Sequence, residues 1–163
     1  MISSEIEDIL QATVDAFRRH LQDRLVAVGI FGSIARKETT PSSDIDFLLL
    51  ATSLPTPKFK RELFIREPLI GIIPQRFNVL AWTKEEFERN FPSIYLDLAQ
   101  DTIVLYDPEN YLQNKLNIIR EITRKAGLVR VKLNGGFRWK WEDSSKYRNF
   151  WSLTWEGYRE LKR

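Results

Sequence analysis

The 163-residue sequence contains no cysteine and only one histidine, His20. These absences exclude disulfide frameworks, cysteine nucleophiles, zinc fingers and metal sites built from several histidines. A bound metal would therefore need oxygen ligands. Long apolar runs are also missing, and residues 1–5 lack the basic and apolar segments of a secretory signal. We expect a cytoplasmic protein that does not span a membrane.

Composition indicates a globular chain, with 43% hydrophobic and 29% charged residues, and the length fits one compact domain. The net charge of +3 is unevenly distributed. Residues 118–163 carry 12 basic and 5 acidic side chains, whereas residues 1–117 carry 13 and 17. Four of the five tryptophans also lie in the basic stretch. Such a composition suits nucleic acid or an acidic partner, and an ordinary solvated surface is the alternative.

Hydrophobic periodicity predicts interleaved helices and strands, which is typical of an α/β (α+β) fold. The Ser4-x-x-Glu7 pattern reads as a capping box that begins a first helix over residues 4–23. Strands are predicted over residues 25–31, 44–50, 76–83 and 102–106, and further helices over 58–66, 84–90, 92–100 and 108–125.

Alternation of apolar and basic residues predicts a β-hairpin over residues 129–141. A three-residue loop, 134–136, would pair Leu133 with Phe137 and Val131 with Trp139, so that the apolar side chains share one face. The other face would then carry four cations: Arg130, Lys132, Arg138 and Lys140.

Two aspartates carry the clearest chemical signal in the sequence. Asp44 and Asp46 begin a buried strand, and side chains at i and i+2 of a strand point to the same side. Two neighbouring carboxylates favour a cation between them, and Mg²⁺ is the hard cation that takes carboxylate, phosphate and water oxygens. Gly32 and Ser33 follow another buried strand and form a turn whose backbone N–H groups suit phosphate oxygens.

Further polar residues surround these two pairs in the sequence. Arg36 and Lys37 follow the glycine turn and are either triphosphate contacts or solvated loop charges, and Ser43 directly precedes the first aspartate. Together the residues predict a nucleoside-triphosphate site for metal-assisted phosphoryl or nucleotidyl transfer.

The segment from Gly32-Ser33-x-Ala35-Arg36 to Ser43-Asp44-Ile45-Asp46-Phe47 resembles the signature of the polymerase-beta-like nucleotidyltransferase superfamily, and within it the prokaryotic minimal nucleotidyltransferases. The resemblance covers roughly residues 20–110. It implies a short mixed β-sheet with flanking helices and Mg²⁺-dependent transfer of a nucleoside monophosphate, AMP from ATP in the version we favour, to a hydroxyl. Many members act as antitoxins beside HEPN-domain ribonuclease toxins, some by adenylylating a toxin tyrosine.

The resemblance also implies roles for individual residues and a division of the chain. Asp44 and Asp46 would bind the metal and carry catalysis. The nucleotide-binding residues would be Gly32, Ser33, Arg36, Lys37 and Ser43. Residues 1–127 would form the nucleotidyltransferase domain, and residues 128–163 a basic hairpin and tail packed on the same domain.

One position departs from the family pattern. The family usually has a third carboxylate five residues before the threonine that corresponds to Thr83, and this sequence has Asn78 there. An amide carries no charge and cannot accept a proton as a general base. Either Asp97 or Glu85 substitutes, or the target supplies a base, or turnover is slow or lost.

The departure leaves a rival interpretation open. The chain could be a catalytically impaired binding module with a nucleotidyltransferase-like fold, which neutralises a partner by occupancy. Nucleotidylation of a small molecule, as in aminoglycoside-modifying relatives, is less favoured, because those enzymes generally carry an additional helical domain for which 163 residues leave little room.

Overall fold

The computed structural model describes residues 2–148 and 150–161. The last two residues of the predicted tail lie outside the described residues, as do residues 1 and 149. The predicted mixed α/β architecture is confirmed. Its elements, in chain order, are α1 (Ser4–Leu21), β1 (Leu25–Phe31), α2 (Gly32–Ala35), β2 (Ile45–Ala51), α3 (Lys58–Arg66), β3 (Phe77–Thr83), α4 (Lys84–Arg89), α5 (Ile94–Asp101), β4 (Ile103–Tyr106), α6 (Tyr111–Ala126), β5 (Leu128–Leu133), β6 (Gly136–Trp141), β7 (Phe150–Thr154) and β8 (Gly157–Leu161).

The chain forms two compact units that interleave along the sequence. The first contains residues 1–89 and 101–114, and the second contains residues 90–100 and 115–163. The boundary expected after residue 127 stays a prediction. Among the described residues, no helix is both long enough and apolar enough to cross a membrane.

A four-stranded mixed sheet organises the first unit, in the order β3-β2-β1-β4. β1 pairs antiparallel with both β2 and β4, and β2 pairs parallel with β3. The central strands β1 and β2 are almost entirely buried, as their continuous apolar sequences predict.

The core of the first unit contains side chains of α1 and of the two central strands. Phe17 of α1 and Phe47 of β2 are fully buried members of this cluster, together with Leu49 and Ile65. Leu48 and Leu50, which alternate with them along β2, are also fully buried. Each such side chain contributes about 1.5–3 kcal/mol of burial free energy, which holds β2 and its first residues in a fixed position.

The cap of α1 lies one residue earlier than the sequence pattern predicts. The Ser3 hydroxyl accepts a hydrogen bond from the Ile6 amide at 3.3 Å, and Ser4 is already helical. The predicted Ser4-to-Glu7 capping box is therefore wrong: Ser3 caps the helix through the Ile6 amide, although only Ser4 has a glutamate three residues later. Its last residue is Leu21 rather than residue 23.

The hairpin β5–β6 of the second unit has a different register from the predicted one. Val131 pairs with Arg138, Arg130 with Trp139, and Lys132 with Phe137. The loop has two residues, Asn134 and Gly135, so the predicted three-residue loop is wrong. Apolar and basic side chains therefore share each face of the hairpin, and the predicted all-cation face is not formed.

Turn chemistry explains this register. The second residue of the two-residue loop, Gly135, has a φ of +85°, a left-handed conformation that glycine adopts without a steric penalty. The mixed face is stabilised by its own contacts. The guanidinium of Arg130 lies 4.2 Å from the centre of the Phe137 ring and 3.3 Å from the Asp97 carboxylate. Trp139 donates its indole N–H to the same carboxylate at 3.0 Å.

A second hairpin, β7–β8, follows in the same unit and completes the C-terminal region. The buried Trp141 ring meets Trp151 edge to face at 4.9 Å and Tyr158 at 5.2 Å. Lys146 lies over Tyr158 at 4.7 Å and donates to the Ala126 carbonyl at 2.6 Å. These aromatic contacts account for part of the tryptophan enrichment in the basic stretch.

A charged contact between α3 and α4 allows a stability prediction. Glu86 accepts two hydrogen bonds from Arg61 at 2.8 Å and one from the Thr83 amide at 3.0 Å. Hydrogen bonding from Arg61 lowers the pKa of Glu86 below its usual value, against the opposing effect of burial. We predict that Glu86→Gln lowers the free energy of unfolding at pH 7 by about 1–2 kcal/mol, measured by urea denaturation.

The pH dependence of this loss distinguishes charge from packing. Because the folded-state pKa is lowered, the stabilisation by the charged form is present above the unfolded-state pKa of about 4.3 and is lost as the pH falls through the folded value. The gap between wild type and Glu86→Gln should shrink in that window. Glu85→Gln, at an exposed position 3.9 Å from Arg89, should change stability by less than about 0.5 kcal/mol. Equal losses in both variants would contradict this assignment.

Candidate active site

The carboxylate of Asp46 lies against the backbone of Gly32. Asp46 is the second residue of β2 and pairs with Phe31, the residue before this glycine. Gly32 has a φ of +73°, and a Cβ built there would overlap Asp46 Oδ2 and lie 3.2 Å from its Cγ. Both the backbone conformation and the missing side chain are therefore required for the carboxylate to occupy this position.

Asn78 contacts the same carboxylate from the other side. The parallel register of β2 and β3 places Asn78 directly opposite Asp46, and its side-chain amide donates a hydrogen bond to Asp46 Oδ1 at 3.0 Å. The strand pairing thus brings together Gly32, Asp46 and Asn78, all of which the sequence analysis singled out. The neutral amide adds no negative charge next to Asp46.

Asp44 stands one residue before β2 and is partly buried. Its Oδ1 atom is shielded from solvent and accepts no hydrogen bond from the described residues, although Arg76 Nε lies 3.2 Å away. The Arg76 side chain is 83% exposed, so this ion pair is weak and easily exchanged for another cation. A buried carboxylate oxygen without a hydrogen bond is a group that a cation would satisfy.

Arg36 is engaged by two carboxylates at the end of α2. Its guanidinium lies 3.0 Å from Asp101 and 3.2 Å from Glu38. The Asp101 side chain is only 5% exposed, so this buried charge depends on the ion pair. The contact fixes the C-terminal end of the turn that begins at Gly32, whereas contact of Arg36 with a triphosphate stays a prediction.

Lys37 and Ser43 lie at the two ends of the loop between α2 and β2. Lys37 is exposed and has a φ of +61°. The Ser43 hydroxyl accepts a hydrogen bond from the Thr40 amide at 2.8 Å and closes a tight turn directly before the aspartates. Both residues line a cavity of about 430 Å³, together with Ile34 and Gln75. Ser33 is partly exposed in the turn, where its carbonyl accepts from the Glu38 amide.

The donor set of this region fits a hard cation. Asp44 and Asp46 supply carboxylate oxygens at the start of one strand, and one of these oxygens is buried without a hydrogen bond. Within the described residues, no group of three or more histidines, cysteines, aspartates and glutamates is placed to hold a metal. Two carboxylates are a donor set of the kind that holds Mg²⁺ in many sites, together with substrate phosphates.

Comparison with known families agrees with this geometry. Residues 10–105, more than half of the chain, match the family described as the nucleotidyltransferase domain. The chain belongs to the nucleotidyltransferase domain family. The resemblance stated from the sequence is confirmed at this level, and the matched segment includes the glycine turn, both aspartates and Asn78.

A curated relative extends the match over more of the chain. A Methanocaldococcus jannaschii protein, provisionally named protein adenylyltransferase MJ1305, is 22% identical over 125 residues, which cover 74% of this chain and 84% of the relative.

Solved structures share the nucleotidyltransferase fold. A crystal structure of a toxin-antitoxin with AMP-PNP superposes with a TM-score of 0.54 at 12% identity, covering 71% of this chain and 87% of that one. The Shewanella oneidensis complex of a tri-AMPylated HEPN toxin with an MNT antitoxin gives a TM-score of 0.50 at 11% identity, covering 72% and 85%. At these identities the likeness concerns the fold.

Sequence reasoning missed two residues of this region. The sequence predicts only a strand beginning at Arg76, and the contact of this residue with Asp44 depends on the pairing of β2 with β3, which no local pattern reveals. Asp101 had a detectable signal. It ends α5, where the helix dipole disfavours an acidic residue, and an acid at such a position indicates a cationic partner elsewhere in the fold.

The packing of Asp46 on Gly32 predicts a steric penalty that a matched glycine does not share. We expect Gly32→Ala to lower the free energy of unfolding by about 3 kcal/mol, because the left-handed backbone and the overlap with the carboxylate both oppose a Cβ. Gly71→Ala is the control. Gly71 has a φ of +80°, and no atom lies within 4 Å of the position that a Cβ would take, so only the backbone cost of about 1–2 kcal/mol applies.

A double-mutant cycle isolates the contact. Adding Asp46→Ala should recover about 1 kcal/mol or more of the Gly32→Ala loss and none of the Gly71→Ala loss, as measured by urea denaturation. Equal losses for the two glycine variants, with no coupling to Asp46, would contradict the described packing.

Proposed function

We propose that this chain is a Mg²⁺-dependent adenylyltransferase that moves AMP from ATP to a protein hydroxyl, a tyrosine of a HEPN-family toxin, and so acts as an antitoxin. The observation that carries the proposal is the placement of the Asp46 carboxylate against the Gly32 turn, with Asp44 at the same strand end. A metal-binding carboxylate pair next to a phosphate-accepting turn is what transfer from a nucleoside triphosphate requires.

In this proposal Asp44 and Asp46 hold the cation. When bound, Mg²⁺ would neutralise triphosphate charge and polarise the phosphorus centre. The weak ion pair with Arg76 would give way to the metal, since that side chain is mostly exposed. Asn78 would keep Asp46 oriented through its amide hydrogen bond.

The turn at Gly32 and Ser33 would receive the β- and γ-phosphates. The backbone N–H groups of the turn would donate to phosphate oxygens, and the Ser33 hydroxyl offers a further hydrogen bond. The Arg36–Asp101 ion pair would hold this turn in place, and exposed Lys37 would supply the positive charge near its end. Ser43 would fix the loop that leads into Asp44.

The acceptor and nucleotide are proposed by likeness to relatives. The curated relative bears the name protein adenylyltransferase, one structural neighbour contains AMP-PNP, and another pairs an MNT antitoxin with an AMPylated HEPN toxin. These descriptions belong to those proteins. They support ATP as the nucleotide and a HEPN-family protein as the partner of this chain.

The proton of the acceptor hydroxyl needs a general base, and the three candidate residues of this chain are poorly suited to accept it. In the transfer, the acceptor oxygen bonds to the α-phosphorus, the bond from that phosphorus to the bridging oxygen breaks, and pyrophosphate leaves. Asn78 cannot take the hydroxyl proton. Asp97 is held by Arg130 and Trp139, and Glu85 is exposed beside Arg89. We therefore propose that the acceptor protein supplies the base.

A second function is favoured by the same asparagine. If the missing third carboxylate abolishes turnover, the chain would neutralise its partner by binding alone. The hydrogen bond from Asn78 to Asp46 supports this rival, because it occupies a carboxylate oxygen that a metal could otherwise use.

The experiment uses ATP labelled at the α-phosphate, Mg²⁺ and a HEPN-domain protein from the same genome. We predict label on the HEPN protein with the wild-type chain, and a loss of at least about a hundredfold with Asp44→Asn. Asp8→Asn, an exposed aspartate of α1, is the matched control and should transfer label at the wild-type rate.

Two results would reject transfer as the function. Label transfer that survives Asp44→Asn would remove the aspartates from the mechanism. Neutralisation of the toxin without any label, unchanged in Asp44→Asn, would establish the binding module instead.

A further inference from the structure

A basic groove lies within the second unit, between α5, α6 and the hairpin β5–β6. Its volume is about 560 Å³. Its charged and aromatic lining residues are Arg120, Arg124, Arg130, Lys132, Phe137 and Trp139. None of the described lining residues is an aspartate or a glutamate.

The cations of the groove are held in defined positions. Arg120 donates from Nε to the Ala99 carbonyl at 2.6 Å, which fixes its guanidinium at the groove wall. Arg130 is 13% exposed and anchored by Asp97, and Arg124 pairs with Glu121 at 2.7 Å. Neither carboxylate lines the groove among the described residues, whereas four basic side chains do.

The aromatic rings of the groove come from alternate positions of β6. Phe137 and Trp139 are half-buried, and the guanidinium plane of Arg130 lies 4.2 Å and 5.9 Å from their ring centres. The hairpin register causes this arrangement, because it pairs Arg130 and Lys132 with the two aromatic residues. Cations and flat apolar surfaces therefore alternate along one wall.

We propose that this groove binds single-stranded nucleic acid. Guanidinium groups bind phosphate oxygens in a planar, two-point geometry, and aromatic rings and guanidinium planes stack on unpaired bases. An acidic peptide would use the cations but has no need for the rings. Both features of the groove are used only when the ligand carries phosphates and planar bases at a regular spacing.

The test measures binding of a fluorescein-labelled single-stranded RNA of about ten nucleotides to the full chain by fluorescence anisotropy, at about 0.15 M salt. We expect Lys132→Glu to weaken binding about tenfold or more and to reduce the salt dependence. Arg138→Glu is the matched control. Arg138 is exposed on the same hairpin, pairs with Val131 on the opposite face and does not line the groove, so it should change affinity by less than about threefold.

The contribution of the rings is tested separately. Phe137→Leu keeps an apolar side chain but removes the stacking surface, and it should weaken RNA binding about fivefold or more. Circular dichroism and thermal melting confirm that each variant is folded.

Three outcomes would overturn the proposal. The first is absence of RNA binding at this salt concentration. The second is equal weakening by Lys132→Glu and Arg138→Glu, which would mean that general charge and not the groove attracts RNA. The third is competition by a poly-glutamate peptide as strong as that by unlabelled RNA, with Phe137→Leu unchanged, which would assign the groove to an acidic protein segment.

Discussion

The carboxylate of Asp46 occupies the space that a side chain at residue 32 would need, and the site depends on this contact. It joins the end of one central strand to the start of the next, because Phe31 and Asp46 are paired and Gly32 follows directly. Burial of β1 and β2 fixes both strands in the core, so the carboxylate and the turn are positioned before any ligand arrives. The fold thus holds the Asp46 carboxylate and the Gly32 turn side by side.

Charge sets the character of the site in this chain. Asp46 accepts a hydrogen bond from the neutral amide of Asn78, and Asp44 has a mostly exposed arginine as its cation. A third carboxylate would increase the attraction for a divalent cation and also the repulsion among the acids. Asn78 replaces that repulsion with a hydrogen bond. The chain therefore has a neutral amide, which cannot accept a proton, beside Asp46.

Sequence patterns predicted those parts of the structure that depend on residues close together in the chain. The continuous apolar runs gave buried strands, and the spacing of Gly32, Asp44 and Asp46 between them indicated a shared site. The capping residue of α1 and the register of β5–β6 were predicted incorrectly. In the hairpin, the Asn-Gly turn and the stacking of Arg130 on Phe137 outweighed the separation of apolar and charged faces. The contact of Arg76 with Asp44 was not predictable, and the position of Asp101 indicated a cationic partner but not that it is Arg36, since these contacts depend on segments that meet only in the folded chain.

Mn²⁺ is a paramagnetic substitute for Mg²⁺. Its titration in the presence of AMP-PNP, followed by electron paramagnetic resonance, measures whether Asp44 and Asp46 hold a cation. We predict one Mn²⁺ per chain beyond that bound by the nucleotide alone. Its affinity should fall about tenfold or more in Asp44→Asn and in Asp46→Asn, and rise in Asn78→Asp. Unchanged Mn²⁺ affinity in both aspartate variants would contradict a cation held by these two carboxylates.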